Sequence, residues 1–547
     1  MRTLAAAAAT LCALACASTG AAAGWTTPFT ALNQVASSPA EGGGYPVPAG
    51  STAPVPGTCR LGDYNSNRSE SWIAVDPTGT EDLVGASKFF FEKYSTFYDF
   101  HLGSYTIPNG TPGQNTHVPG YDCISTKSQE MPPSWTNNTD PNVDFDTKGR
   151  AYQVTLPFNA FWANLHPNGA IGAVYSDNLG RTWTVGNGGK YLDMLPNSST
   201  FAFGDVVDKQ WVAVNRGSLS PYVDHVYAMW SVFNGDAVKI RMAKSVDHGV
   251  TFTPATTITP PSAVGPSTTY IYPSVDGAGT LYAAVAGFAA ASGSSSAELY
   301  VARSTDDGNT FTWFDTNQRA HGTPGCCLPN TTFRDGILEN FVASPTYPGH
   351  VYLTYEDWNG TQFDVKFTQS TNGGMTWSDP VVVNDATNSA TTDQFQPSVA
   401  AGPGGAVAVA FYDRRAPCPS DKSILPDHQG RSNFCIDVSV QPYKDAGAGA
   451  GAVAVGGNVR ASEFAWDPEQ PGQTIDGIDQ MACASHSNPC QVRSFIGDYF
   501  GLAISDANVY TFSVSTHYPS SVRGDGNARV YYQQQVLGTI SRADLGI

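Results

Sequence analysis

Charge is what this sequence has least of. Asp, Glu, Lys and Arg make up only 14% of its 547 residues, too few for long solvated surface helices. Lys and Arg form no run, and the formal net charge is -18 at pH 7. The averaged surface field therefore repels phosphate backbones, and nucleic acid is not the expected partner. An anionic small ligand would need a local arginine cluster to offset that field. Beyond the N-terminal leader no apolar run is long enough to span a bilayer. Gly-x-Ser-x-Gly, His-Glu-x-x-His, a phosphate-cradling glycine loop and zinc-like cysteine spacings are all missing, and the chemistries they serve leave no signal.

What is plentiful is Gly (55), Pro (37) and aromatic residues (12%), a mixture suited to many short strands joined by tight turns. The N-terminus, MRTLAAAAATLCALACASTGAAAGW, reads as a secretory signal cleaved after Ala23, a stronger reading than a lipid anchor on Cys16. The expected location is extracellular or periplasmic. Eight cysteines then remain, and an even number in an exported chain favours disulfides. Cys418 with Cys435, Cys483 with Cys490 and Cys59 with Cys123 are the expected pairs. Cys326 and Cys327 form a vicinal bridge or bond to separate partners.

Self-similarity is strong. SDNLGRTW (176–183), SVDHGVTF (245–252), STDDGNTF (304–311) and STNGGMTW (370–377) all fit Ser-x-Asp/Asn-x-Gly-x-Thr-aromatic. A hairpin turn accounts for each fixed position: Gly for positive φ, Ser and Asp/Asn oxygens for turn N–H groups, Thr and the aromatic to restart a strand. Asn at Asn178 and Asn372 caps a turn but is no general acid, so the octapeptide reads as architecture. Out of phase with it run alternating apolar hairpins beginning at Ser71, Pro141, Trp211, Pro273, Phe341, Pro397 and Gly497. Four strands per unit of about 60 to 70 residues is a propeller blade. The expected fold is an all-β single propeller of seven blades, six remaining open, over 67–547. Residues 24–66 are expected to be irregular, with loop insertions at 416–434 and 444–495 and a flexible KDAGAGAGAVAVGGN (444–458).

The octapeptides resemble Asp boxes, and the chain is similar to the secreted sialidase-like propellers with BNR repeats over about residues 68 to 535. That resemblance implies a glycoside hydrolase, exo-sialidase in type, working on glycans at the channel mouth opposite the Asp boxes. Three arginines would hold the substrate carboxylate, a Tyr activated by a Glu would be the nucleophile, and an Asp the acid/base. A neutral phenol approaches an anionic sugar more readily than a carboxylate does. Matched by position, the arginines fall to Arg68, Arg414 or Arg415, and Arg493, with Asp413 and Asp498 beside them. The nucleophile falls to Tyr499, its base to Glu356, and the acid/base to Asp99 or Glu92. The Phe/Tyr-Arg-Ile-Pro motif is missing, and no Glu precedes the sixth unit. The alternatives are a non-catalytic propeller binding glycan or protein, and a cell-surface structural or adhesion protein. A monomer with no cofactor is expected; DFDTKG (144–149) has only a superficial likeness to a calcium loop.

Overall fold

In the computed structural model the alternating runs become seven antiparallel blades arranged in a ring. The structure describes residues 24–25, 31–37, 67–79, 81–90, 100–118, 137–158, 169–194, 205–234, 237–258, 260, 267–288, 296–323, 327–336, 339–447, 449–470, 474–475, 478–479, 495–519 and 531–547. The innermost strands are Arg68–Val75 in blade 1, Asn137–Thr139 with Asp144–Phe145 in blade 2, Asp205–Val214 in blade 3 and Ser267–Val275 in blade 4. They continue as Glu339–Ala343, Gln394–Ala401 and Gly501–Ile504 in blades 5 to 7. Seven is therefore the blade number.

Alternation along a strand implies one buried face, but the second strands are buried on both. In Ala406–Asp413 every residue is buried. Val407, Val409 and Phe411 pack with Tyr352, Val365 and Phe367 of blade 5. Ala406, Ala408, Ala410 and Tyr412 pack with Phe500, Leu502, Val509 and Val514 of blade 7. Each sheet is thus the filling between its two neighbours, and the core runs round the ring instead of lying on one side.

Two segments differ from expectation. Within 24–66, Leu32–Val35 is a strand that pairs antiparallel with Gln534–Ser541 and completes blade 7 from the opposite end of the chain. This covers a sheet edge that would otherwise template association. In 444–458, Ala452–Ala454 pairs with Asp437–Asp445 as an outer strand of blade 6. Its glycines serve close packing: a Cβ at Gly447 would lie 2.7 Å from the Tyr347 ring, and one at Gly451 2.7 Å from Gln369 Oε1. Cys418 and Cys435 are bonded as expected. Cys327 is also disulfide-bonded, whereas Cys59, Cys123, Cys326, Cys483 and Cys490 lie outside the described residues, as does the leader 1–23. Among the described residues no helix is long and apolar enough to cross a membrane.

The four octapeptides have one geometry. Ser Oγ accepts from the Gly N–H, and the Asp or Asn oxygen accepts from the Thr N–H, all at 2.8–3.0 Å. The variable residue before the Gly is left-handed in every copy: Leu179, His248, Asp307 and Gly373. It is variable because it faces the preceding blade. Leu179 joins the apolar cluster with Val84 and Leu102, and His248 Nδ1 lies 3.0 Å from Asp146 Oδ2. Asp307 accepts from Tyr227 Oη (2.7 Å) and Lys244 Nζ (2.6 Å). At Gly373 a Cβ would lie 2.5 Å from Arg303 Nη1.

Candidate functional site at the axial mouth

Third strands end in the octapeptides and run parallel to the innermost strands, so the starts of the innermost strands lie on the opposite rim. There the ladder slips in blades 1, 3, 4 and 6, between Ser69 and Trp72, Asp208 and Trp211, Thr269 and Tyr272, and Phe395 and Ser398. In each slip one non-glycine residue is left-handed: Glu70 (φ 50), Lys209 (φ 52), Tyr270 (φ 54) and Gln396 (φ 45); blade 2 has Asp140 (φ 56) at the matching place. Such a conformation costs on the order of 1–2 kcal/mol per residue. Strain of this kind concentrates where a bulge re-aims a side chain.

The bulges sort side chains into two layers. Below, Trp72, Trp211, Tyr272 and Tyr499, from blades 1, 3, 4 and 7, pack edge to face across the axis. Centroids are 4.6 Å apart for Trp72 and Trp211, 4.9 Å for Trp211 and Tyr272, and 5.1 Å for Trp211 and Tyr499. These rings make an aromatic floor.

Above the floor lies a charged layer. Lys209 Nζ lies 2.7 Å from Asp498 Oδ2, and Arg334 grips the same carboxylate through Nε (3.0 Å) and Nη2 (2.7 Å). Glu70 pairs with Lys88 at 2.7 Å, and Lys88 Nζ also rests 4.4 Å above the Phe495 ring. Thr139 Oγ1 donates to Asp140 Oδ1 (2.9 Å). Asp208 Oδ1 accepts from the Lys209 N–H (2.9 Å), and Asp335 Oδ1 accepts from Gln396 Nε2 (3.3 Å).

These neighbours drive the carboxyls apart. Burial would raise the pKa of Asp498, but Arg334 and Lys209 overcome it and hold the group well below the carboxylate range. Asp208 is packed round by protein although part of its surface meets solvent; burial and then Asp140 push it up to about 7. Burial also raises Glu70, Asp335 and Glu339. One carboxylate is firmly ionised against the Lys209 ammonium, and another, bonded to the Lys209 backbone N–H, is poised at neutrality.

The residues singled out from the sequence are dispersed. Asp498 is in the charged layer. Tyr499 is in the floor, where its Oη donates to the Pro141 carbonyl (3.0 Å) and burial drives its pKa well up. Arg68 is buried with Nε 3.2 Å from Tyr105 Oη, and the Tyr105 ring in turn packs on Phe512 of blade 7. Glu356 is buried at the end of a blade 5 strand, where Oε2 accepts from the Gln396 N–H (2.7 Å) and so props the blade 6 bulge. Arg414 is enclosed by Asp393 (3.1 Å) and the carbonyls of Pro329 and Asn433, and burial lowers it to about 10. Arg415 binds Asp413, Asp385 and Asn458, each at 2.7 Å, beneath the Trp25 ring. Asp99, Glu92 and Arg493 lie outside the described residues. In DFDTKG, Asp146 caps its own turn and accepts from Tyr152 Oη (2.8 Å), while Asp144 is held by the Val214 N–H (2.9 Å) and Arg216. Protein donors therefore occupy those carboxylates.

Sequence reasoning missed Glu70, Asp140, Asp208, Lys209, Arg334 and the three other rings of the floor. A signal was present: Ser69-Glu70-Ser71-Trp72, Asp208-Lys209-Gln210-Trp211 and Thr269-Tyr270-Ile271-Tyr272 each place a large polar residue two before an aromatic, just ahead of a hairpin.

Fold and site together define a seven-bladed β-propeller with octapeptide turns on one rim and a charged mouth over an aromatic floor on the other. No family model and no curated protein matches the chain. Among solved structures it is similar to the intramolecular trans-sialidase of Ruminococcus gnavus, at 13% identity over 91% of this chain and 100% of that one, with a TM-score of 0.40. The phage phi92 endosialidase gives 9%, 94%, 69% and 0.43 in the same order. An α-L-arabinofuranosidase from Fusarium graminearum gives 12%, 74%, 94% and 0.33.

Proposed function

We propose that the protein is a glycoside hydrolase whose site is the axial mouth, with Asp208 as proton donor and Asp498 as the ionised partner. The observation that carries this reading is that Lys209 Nζ and Arg334 hold Asp498 ionised while burial and Asp140 push Asp208, whose Oδ1 accepts from the Lys209 backbone N–H, up to about 7, above a floor of aromatic rings. As the glycosidic C–O bond breaks, the leaving oxygen takes the Asp208 proton, and the Asp498 carboxylate stabilises positive charge developing at the anomeric carbon. Water then bonds to that carbon and returns a proton to Asp208. Sialoside hydrolysis through Tyr499 is the narrower form of the reading. Against it, Arg68, Arg414 and Arg415 are each buried against partners of their own: Tyr105, Asp393 and Asp413.

The test is sugar release from a panel of neutral, amino and sialylated glycosides. Asp208→Asn and Asp498→Asn should each lower kcat/KM by at least about a hundredfold. The raised pKa of Tyr499, and its bond to a backbone carbonyl, favour a second reading: a propeller that binds glycans without cleaving them. An inactive wild type that still binds panel members would establish that alternative.

A further inference from the structure

We infer that the axial mouth takes an amine-bearing sugar, with Asp140 as the residue that meets its ammonium group. Only the word sugar rests on the hydrolase reading; the charge preference stands on the mouth itself.

The cations of the charged layer are already engaged. Lys88 faces Glu70, and both Lys209 and Arg334 face Asp498. A carboxylate sugar would have to draw Lys209 and Arg334 away from Asp498 and expose it to two negative charges. An incoming cation meets the opposite situation at Asp140, which has no salt-bridge partner among the described residues.

Asp140 carries the inference. It is 4% exposed, yet its Oδ2 has no hydrogen-bond partner among the described residues. A buried polar atom left in that state is unfavourable unless a ligand satisfies it. Its direction is fixed by the backbone: φ is 56°, and its carbonyl accepts from Gln210 Nε2 (2.8 Å) and Asn142 Nδ2 (3.0 Å). Its charge acts on Glu70 of blade 1, Asp208 and Lys209 of blade 3 and Tyr499 of blade 7, so the carboxylate faces the axis. Asp335 Oδ2 is a second unpartnered oxygen in the same layer. Trp72 and Tyr270 are both partly exposed, and Lys209 Nζ lies 5.2 Å from the Tyr270 ring centroid, so a ring of this layer already meets an ammonium group.

Calorimetric titration of the full chain at mildly acidic pH, with a glucosamine tetramer, its N-acetylated counterpart and 3′-sialyllactose, tests this. The free-amine tetramer should bind at least about tenfold tighter than the acetylated one. Asp140→Asn should abolish that ratio while leaving affinity for the acetylated tetramer within about twofold. Asp140→Ser gives the same reading if Asp140→Asn does not fold. Equal affinity for the two tetramers, tighter binding of sialyllactose, or a preference intact in the variants would overturn the inference. Calcium chloride binding in an Asp140-dependent way, with no tetramer binding, would also overturn it. Selective binding without cleavage would keep the inference and sink the hydrolase reading. Cleavage of neutral glycosides with no amine preference would do the reverse.

Discussion

Lys209 of blade 3 and Asp498 of blade 7 meet across the propeller axis, with Nζ 2.7 Å from Oδ2. They are 289 residues apart in sequence, so the contact ties distant parts of the ring together. Asp498→Asn leaves Lys209 and Arg334 without the carboxylate they both grip and should destabilise the fold by about 3–5 kcal/mol, measured by urea unfolding. Lys209→Met added to Asp498→Asn should recover part of that loss. The depressed pKa fixes the sign with pH: the stabilisation is present above the unfolded value of 3.8 and is lost as pH falls through the lower folded value.

The two adjacent acids of the third octapeptide should behave differently. Asp306 bonds within its own turn, to the Thr310 N–H (2.9 Å) and Thr310 Oγ1 (2.7 Å). Asn does that work at Asn178 and Asn372, so Asp306→Asn should be nearly neutral and Asp306→Ala should cost about 1 kcal/mol. Asp307→Ala strips Tyr227 and Lys244 of their partner between blades 3 and 4 and should cost about 3 kcal/mol or more. Thermal unfolding of the three variants gives the order. Both residues lie on the rim away from the mouth, so kcat/KM of the folded variants should stay at the wild-type value.

Removing the aromatic floor should be expensive. Trp211 touches Trp72, Tyr272 and Tyr499, and Trp211→Ala should cost about 3–5 kcal/mol. Trp211→Phe should cost less, because one ring still fills the axis. Tyr499→Phe removes one hydrogen bond, to the Pro141 carbonyl, and should cost about 1 kcal/mol. Its kcat should fall less than tenfold, whereas loss of a nucleophile would lower kcat by orders of magnitude.

The architecture was legible because its signals are local. Each octapeptide is stated within eight residues, and each hairpin within about twenty. The N-terminal strand that completes blade 7 was not, since Leu32–Val35 is four residues long and its partner strand is at the other end of the chain. The mouth was hidden for a related reason: its bulges put Glu70, Lys209 and Gln396 at positive φ, where no glycine marks the position. Arg414 and Arg415 drew attention as a pair at a strand end. Their partners Asp393 and Asp385 lie 21 and 30 residues upstream, in segments that no motif joins to theirs.

The most direct measurement is the rate of glycoside hydrolysis against pH for the wild type and for Asp208→Asn and Asp498→Asn. If Asp208 donates the proton, wild-type kcat/KM on non-sialylated glycosides falls as pH rises through about 7. Each variant should then be at least about a hundredfold slower. The same raised pKa makes the folded state hold the proton that the unfolded chain releases at 3.8, so stability also declines between 3.8 and about 7. Hydrolysis at the wild-type rate in both variants, or a sialoside activity that Tyr499→Phe abolishes and Asp208→Asn leaves intact, would contradict the assignment of chemistry to the axial mouth.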